Sequence, residues 1–442
     1  MTESTGDSGQ IIDLEIGDVA HGGVFVARHE GRVVFVPDVL PGERVRVRLT
    51  DTSKNSFWRG EALEVLDASP HRRAHVWRQA DIDVDPERRP GGAEFGHIEL
   101  AEQRRLKLKV LTDALHRFGG VDLPVSIGAA EGDATSAPET SDGTRWRTRV
   151  SLHVDEEGRV GPYAARSHRV IAVDDLPLAT QEVEDAALAL RGGQPGRIDL
   201  AQPDDGRVRV IVRPERPAGR GRGRSGPKPV EPKPEIVYER VGDRDFRVDA
   251  GGFWQVHRLA AHTLTQRVRS VLTGLGEHVS WDAEAWHLDL YGGVGLFAAA
   301  MGDVGGTATR VTTVESDPRA TDNAAENLVE WVGARAETGR VDRWLARLAA
   351  EASAAERERL SRGVVLLDPP RAGAGRAVVE SVASLAPGAV VYVACDPVAL
   401  ARDVAIFRDA GYDTTAVEAL DLFPNSHHVE AVATLMPAQP RR

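Results

Sequence analysis

The feature that most narrows what this chain can fold into is a strand, turn, helix, strand and acid series that begins at Trp286. Trp286-His287-Leu288-Asp289-Leu290 reads as a buried strand, Tyr291-Gly292-Gly293-Val294-Gly295 as a tight turn, and Leu296 to Met301 as the start of a helix. The next apolar run, Arg310 to Val314, ends in Glu315. Short apolar runs keep alternating with helical patterns from Phe246 onward, which predicts an α/β, doubly wound, Rossmann-like sheet.

In such sheets ligands lie beyond the carboxyl ends of the strands, and an acid ending the second strand is placed for ribose hydroxyls. Gly293 and its neighbours let a ligand approach the backbone, although a glycine turn by itself only requires a tight bend. Nicotinamide-dependent dehydrogenases and S-adenosylmethionine-dependent methyltransferases share this pattern. The run Val364-Val365-Leu366-Leu367 separates them, because it delivers Asp368-Pro369-Pro370-Arg371. The prolines stiffen the chain just past the strand. Asp-Pro-Pro at this place resembles a methyltransferase signature that hydride-transfer enzymes do not generally carry, so S-adenosylmethionine is the expected cofactor.

The only cysteine, Cys395, follows another apolar run in Tyr392-Val393-Ala394-Cys395-Asp396-Pro397 and precedes a helical pattern. That spacing puts a thiol at the mouth of the sheet, where it can act as a nucleophile. A lone cysteine is equally a small buried apolar residue. One cysteine excludes an internal disulfide, and a usable free thiol fits a cytoplasmic location. Met1 to Gln10 is polar and acidic, unlike a secretory signal. No apolar stretch approaches the roughly 20 residues of a membrane span.

Upstream, short alternating runs between Ile11 and Leu66 are separated by glycine and proline turns, which predicts a small antiparallel barrel over residues 1–68. Val36-Pro37 and Leu40-Pro41-Gly42-Glu43 resemble the motifs of a TRAM domain, an OB-like RNA-binding module. Residues 69–245 read as a central α+β RNA-binding domain. Within it, Ile98 to Phe118 has helical periodicity and is expected to pack on the catalytic domain, Gly128 to Thr144 reads as a polar linker, and Trp146 to Val154 as a strand. Arg213 to Pro234 reads as a basic, Pro/Gly-rich tongue. Residues 246–442 form the catalytic domain. The net charge of -12 excludes indiscriminate nucleic-acid binding and leaves local patches, such as Arg44, Arg46 and Arg48 or Arg220, Arg222 and Arg224. Each of these is also readable as a solvated strand face or loop.

Together, Gly252-Phe253-Trp254-Gln255-Val256, Asp289 to Leu296, Asp368-Pro369-Pro370-Arg371, Cys395-Asp396-Pro397 with Leu400-Ala401-Arg402-Asp403, and Phe423 to Glu430 resemble the RNA 5-methyluridine methyltransferases. The resemblance extends over nearly the whole chain. It implies Cys395 as nucleophile and Glu430 as base. It implies Gln255, Tyr291, Gly293, Glu315 and Asp368 as cofactor-binding residues, with Leu296 at a further cofactor-lining position and the adenine-facing residue within 339–342. A structured RNA, rRNA or tRNA, is the implied partner, and a monomer the default. Phe253, Trp254 and Phe423 are candidate base-stacking aromatics or core residues, and Arg371 is a candidate cation for the thiolate.

Two positions depart from the family pattern. Many members hold an iron-sulfur cluster on cysteines, but here the corresponding stretch is Pro90-Gly91-Gly92-Ala93 followed by His97, and Leu176 stands where another cysteine is expected. Without thiolates no cluster is expected, and His427 and His428 lack the further spaced ligands of a metal site. Asp396 replaces the usual asparagine, and a carboxylate beside Cys395 disfavours the thiolate. Three readings follow: a uracil-5 RNA methyltransferase, an RNA methyltransferase acting at another base position, and a non-catalytic RNA-binding protein of the same fold.

Overall fold

The computed structural model describes residues 8–215, 234–276, 279–282 and 284–438. Most of the tongue expected at 213–234, including Arg220, Arg222 and Arg224, lies outside the described residues.

Five strands, β1 (Ile11–Ala20), β2 (Val24–His29), β3 (Arg32–Val36), β4 (Arg44–Asp51) and β5 (Phe57–Asp67), close into a barrel in the order β1-β2-β3-β5-β4. Alternation decides which side chains fill it: Leu14, Ile16, Phe25, Ala27, Val34, Val36, Val45, Val47 and Leu49 are buried. The fully buried Glu43 accepts from Leu40 N at 2.8 Å and pairs with Arg72 at 2.6 Å, so the Pro-Gly-Glu motif anchors the barrel to the segment that follows it. Arg44, Arg46 and Arg48 do not form a free basic patch. They pair with Asp13, Glu64 and Glu61 on neighbouring strands, which makes this face a solvated charge ladder.

The helix α1 (Leu100–Ala114) runs on through a π-turn, Leu115–Gly119, and is stopped by Gly120 at φ 62°. Next come β6 (Ser126–Ala129), β7 (Arg149–Val154), β8 (Val160–Gly161), α2 (Gln181–Ala189), β9 (Gly196–Ala201) and β10 (Arg209–Pro214). The last four of these strands make a sheet of order β10-β9-β7-β8, and β11 (Ile236–Val241) with β12 (Arg244–Asp249) forms a separate hairpin. The strand expected from Trp146 begins three residues later, because Arg145 turns through φ 60° and Trp146 is buried against His257.

The catalytic body is built from α3 (Ala260–Gly274), β13 (His287–Leu290), α4 (Leu296–Gly305), β14 (Val311–Glu315), α5 (Pro318–Asn327), β15 (Arg335–Thr338), α6 (Val341–Glu351) and α7 (Ala354–Ser361). It continues with β16 (Val364–Leu367), α8 (Arg376–Ser384), β17 (Ala389–Ala394), α9 (Pro397–Asp409), β18 (Tyr412–Asp421) and β19 (Glu430–Pro437). The sheet order is β15-β14-β13-β16-β17-β19-β18-β6, with β19 antiparallel to both neighbours. Every residue of β13, β16 and β17 is buried, as expected of parallel strands covered on both faces.

Two pieces that precede the central sheet in the chain belong physically to this body. Leu111, Ala114 and Leu115 share an apolar core with Val390, Tyr392, Leu400 and Ala401, and β6 pairs in parallel with β18 as the edge strand. The linker expected from Gly128 therefore overlaps the last two residues of β6. That strand is four residues long, and its pairing is supplied by β18 rather than by any local pattern. Among the described residues no helix is long and apolar enough to cross a membrane.

Candidate active site

Sheet register brings the expected nucleophile and base together. The antiparallel ladder of β17 and β19 ends with Ala394 opposite Ala431, and Cys395 and Glu430 are the next residues beyond that pair. The Glu430 carboxyl is near enough to act electrostatically on the Cys395 thiol. Glu430 is buried and pairs with Leu420 of β18.

Burial and like charge define the electrostatics. The Cys395 thiol is pushed up to about 12, first by burial, then by the Glu430 and Asp368 carboxylates, with Arg371 acting in the opposite direction. Burial raises Glu430 well above the ordinary carboxylate range, with Asp368 adding to it. Asp368, directly beyond β16, is pushed up to about 7 by burial and then by Asp289. A resting site of this kind stores protons on its acids and its thiol. Arg371 is oriented by His428, to whose Nε2 it donates from Nη2 at 3.2 Å. Burial, His427 and Arg371 lower His428 to about 3, which keeps it neutral and able to accept that bond. His427 lies 3.4 Å from Glu94, and although burial opposes ionisation there, His427 brings that carboxyl down to about 2.

Asp396 does not confront the thiol. It caps α9, its Oδ1 accepting from Val398 N at 3.0 Å and Ala399 N at 2.8 Å, and its Oδ2 accepts from His21 Nε2 at 2.9 Å. Burial acts against it, but the His21 bond and the helix amides hold the carboxyl below its ordinary value.

The loop from Phe423 to Glu430 turns on Asn425, which adopts φ 66° and is fully buried. Asn425 N donates to Gln103 Oε1 at 2.8 Å, Gln103 Nε2 donates back to its Oδ1 at 2.9 Å, and its Nδ2 reaches Asp142 O and Gly143 O. Asp403 plays the matching part for the loop beyond Asp368. Its carboxylate accepts from Ala374 N, Gly375 N and the Tyr392 hydroxyl at 2.7, 3.2 and 2.6 Å.

The cofactor-edge residues gather at the ends of β13, β14 and β16. Tyr291 takes φ 64°, a strained value for a large side chain, and Gly293 takes φ 56° with open space where a Cβ would project. Gly293 N donates to Glu315 Oε2 at 3.3 Å, while Asp317 N fixes Oε1 at 2.9 Å. A cavity of ≈ 270 Å³ opens between Tyr291, Ser316, Arg340, Val341, Asp342 and Ala374, so the 339–342 segment lines it together with Tyr291. Buried Asp289 keeps Oδ1 without a partner among the described residues. An acid at a strand end, an open glycine and an adjoining cavity suit an adenosyl group.

Gln255 stands half-buried in the segment that leads into α3, and Leu296 belongs to the apolar core with Val294 and Phe297. Trp254 is likewise core, Phe423 packs edge-on against Trp146, and Phe253 is 73% exposed. Ala93 and Leu176 share one apolar cluster with Trp77 and Leu178, so small and aliphatic side chains occupy the place of cluster ligands. Among the described residues no group of three or more His, Cys, Asp or Glu is arranged to hold a metal. Sequence reasoning gave no role to His21 or Glu94, which only a polar residue in a turn marked, and named Asp403, within α9, only as part of the motif that follows Cys395.

The fold and this site define an S-adenosylmethionine-dependent RNA methyltransferase with an RNA-binding barrel at its amino end. Residues 7–63 match the TRAM domain and residues 282–437 match tRNA (Uracil-5-)-methyltransferase. An uncharacterized RNA methyltransferase of Streptomyces avermitilis is 38% identical over 97% of this chain and 99% of its own length. Another, from Bifidobacterium longum, is 34% identical over 95% of both chains. The chain belongs to the RNA methyltransferase family of these relatives, and its residues 282–437 are similar to the tRNA (Uracil-5-)-methyltransferase family. In fold it is similar to the crystal structure of Pyrococcus abyssi tRNA (uracil-54, C5)-methyltransferase in complex with S-adenosyl-L-homocysteine. The TM-score is 0.65 at 20% identity, covering 96% of this chain and 100% of that one.

Proposed function

We propose that this protein methylates carbon 5 of a uridine in a structured cytoplasmic RNA, rRNA or tRNA, through a covalent bond between Cys395 and carbon 6. The observation that carries this reading is the ladder of β17 and β19, whose last pair, Ala394 and Ala431, is followed on the two strands by Cys395 and Glu430. A single chain supplies nucleophile, base and cofactor edge, which supports a monomer as the acting unit.

The target base is swung out of its stack to reach the thiol. Cys395 Sγ gives up its proton to solvent, the thiolate being favoured by the Arg371 charge, and adds to carbon 6. The ring's π electrons move onto oxygen 4, and carbon 5 becomes nucleophilic. Gln255, Tyr291, Gly293, Glu315 and Asp368 would hold S-adenosylmethionine, which would supply an electrophilic methyl group to carbon 5 and leave as S-adenosylhomocysteine. Once carbon 5 carries that methyl, Glu430 removes the remaining carbon 5 proton, the 5,6 double bond reforms and Cys395 leaves. Glu430, protonated at rest, must first release its own proton to solvent, and its desolvated carboxylate is then a stronger base than an exposed one.

The test is trapping on RNA that contains 5-fluorouridine, where fluorine at carbon 5 blocks the final proton removal. With S-adenosylmethionine present, the wild type is expected to form a complex that survives a denaturing gel, and Cys395→Ala none. Methylation of RNA without a trapped complex would place the reaction at another base position.

A further inference from the structure

The barrel reaches into the active site at one point. The turn between β1 and β2, Ala20 to Gly23, is pressed onto the catalytic loops: a Cβ on Gly23 would meet His427 Cβ at 2.8 Å. Asp18 at the same end of the barrel pairs with Lys109 of α1 at 3.3 Å. His21 at the tip of the turn donates from Nε2 to Asp396 Oδ2 at 2.9 Å, across 375 positions of sequence. His21, Gly23, Lys107, Cys395, Asp396 and His428 enclose a cavity of ≈ 10 Å³, about the space of one water.

Asp396 follows the nucleophile directly, and its charge is costly there unless it is satisfied elsewhere. The amides of α9 satisfy one oxygen, and His21 is the side chain that satisfies the other. With both oxygens engaged, the acids that raise the Cys395 thiol are Glu430 and Asp368. Asparagine would cap α9 equally well and carries no charge to hold away.

We propose that His21 is a positioning residue of the catalytic site, holding the Asp396 carboxylate off Cys395 so that nucleophile activation depends on the barrel being docked. RNA binding by the barrel and thiolate formation then share one contact, and an undocked barrel leaves the thiol inert. The inference rests on the covalent reading given above.

The experiment measures the rate of adduct formation on 5-fluorouridine-substituted total RNA, at saturating and at half-saturating RNA, for wild type, His21→Ala, Asp396→Asn and the double variant. His21→Ala is expected to slow adduct formation about tenfold at saturating RNA, the order expected for one hydrogen bond to a charged group. Asp396→Asn in the same background is expected to restore most of that loss. Equal slowing by His21→Ala with Asp or Asn at 396 would overturn the proposal, since His21 would then act only by docking the barrel. No slowing at saturating RNA would overturn it too. A wild type that forms no adduct at all would instead remove the covalent reading, and the inference with it. Thermal melting of each variant confirms that the chains compared are folded.

Discussion

Lys107 Nζ lies 2.6 Å from Asp421 Oδ1 with neither side chain exposed, and the same ammonium donates to Phe423 O at 2.9 Å. This pair ties α1 to the end of β18, where the loop that carries Glu430 begins. Removing Lys107 leaves the buried Asp421 carboxylate with Arg104 alone, whose Nε lies 3.2 Å from Oδ2. Lys107→Met is expected to cost about 3 kcal/mol in urea unfolding. Asp421→Asn added to it is expected to recover part of that cost, and a Lys107→Met midpoint equal to wild type would show that Arg104 satisfies the carboxylate by itself.

Glu430→Gln keeps the shape of the base but cannot accept the carbon 5 proton. Turnover is expected to fall by about 10³, and a covalent complex that already contains the transferred methyl should accumulate on ordinary RNA. Mass spectrometry of nuclease-digested complex reads this directly. Loss of turnover with no complex would assign Glu430 to an earlier step.

A thiol pushed up to about 12 is protonated at neutral pH. Alkylation of Cys395 by iodoacetamide without RNA is therefore expected to rise about tenfold per pH unit between pH 7 and 9, following the thiolate. Arg371→Ala removes the cation that opposes the shift and is expected to slow alkylation by about threefold across that range. A plateau below pH 8 would mean that a stronger cation faces the sulfur.

Asp368 makes stability depend on pH in the opposite sense to a salt-bridged acid. Its folded value, about 7, lies above the ordinary 3.8, so its contribution to folding is full below about pH 4 and is lost as pH rises toward 7. Asp368→Asn carries no such penalty. Its melting temperature relative to wild type is expected to be higher at pH 8 than at pH 5, by on the order of 2 °C. The same difference at both values would show that Asp368 is not the desolvated acid.

Glu315 is held by Gly293 N and Asp317 N with its carboxylate at the end of β14. Glu315→Ala is expected to weaken S-adenosylmethionine binding by about tenfold or more in calorimetry, whereas Cys395→Ala leaves it near wild type. Equal binding by the Glu315 variant would move the ribose contact elsewhere.

Much of the catalytic body was readable because its signals are local. Apolar runs such as Val364–Leu367 and Ala389–Ala394 are buried on both faces, and the residues just beyond them, Asp368 and Cys395, are delivered to the same edge of the sheet. Arg44, Arg46 and Arg48 looked like a local basic patch because their partners lie on other strands. Leu296 looked like a cofactor-lining position, while its apolar side chain joins the core. The strand β6 went unassigned because four residues carry too little periodicity, and the expected linker took in its last two.

Sequence alone determined the chemistry available to this protein: one thiol after a buried strand, an acid before another, a glycine turn with its strand-end acid, and no cysteines for a cluster. These depend on residue type and on spacing within one or two elements. Tertiary structure decided which of those groups act together. The pairing of β17 with β19 brings Cys395 and Glu430 to neighbouring strand ends, α1 seats the loop between them through Asn425 and Asp421, and the barrel turn lends His21 to Asp396. Asp396 read as an obstacle to the thiolate because its partner lies in another domain. Ion pairs and caps form between side chains that packing brings within about 3 Å, and that distance is set by docking rather than by periodicity along the chain.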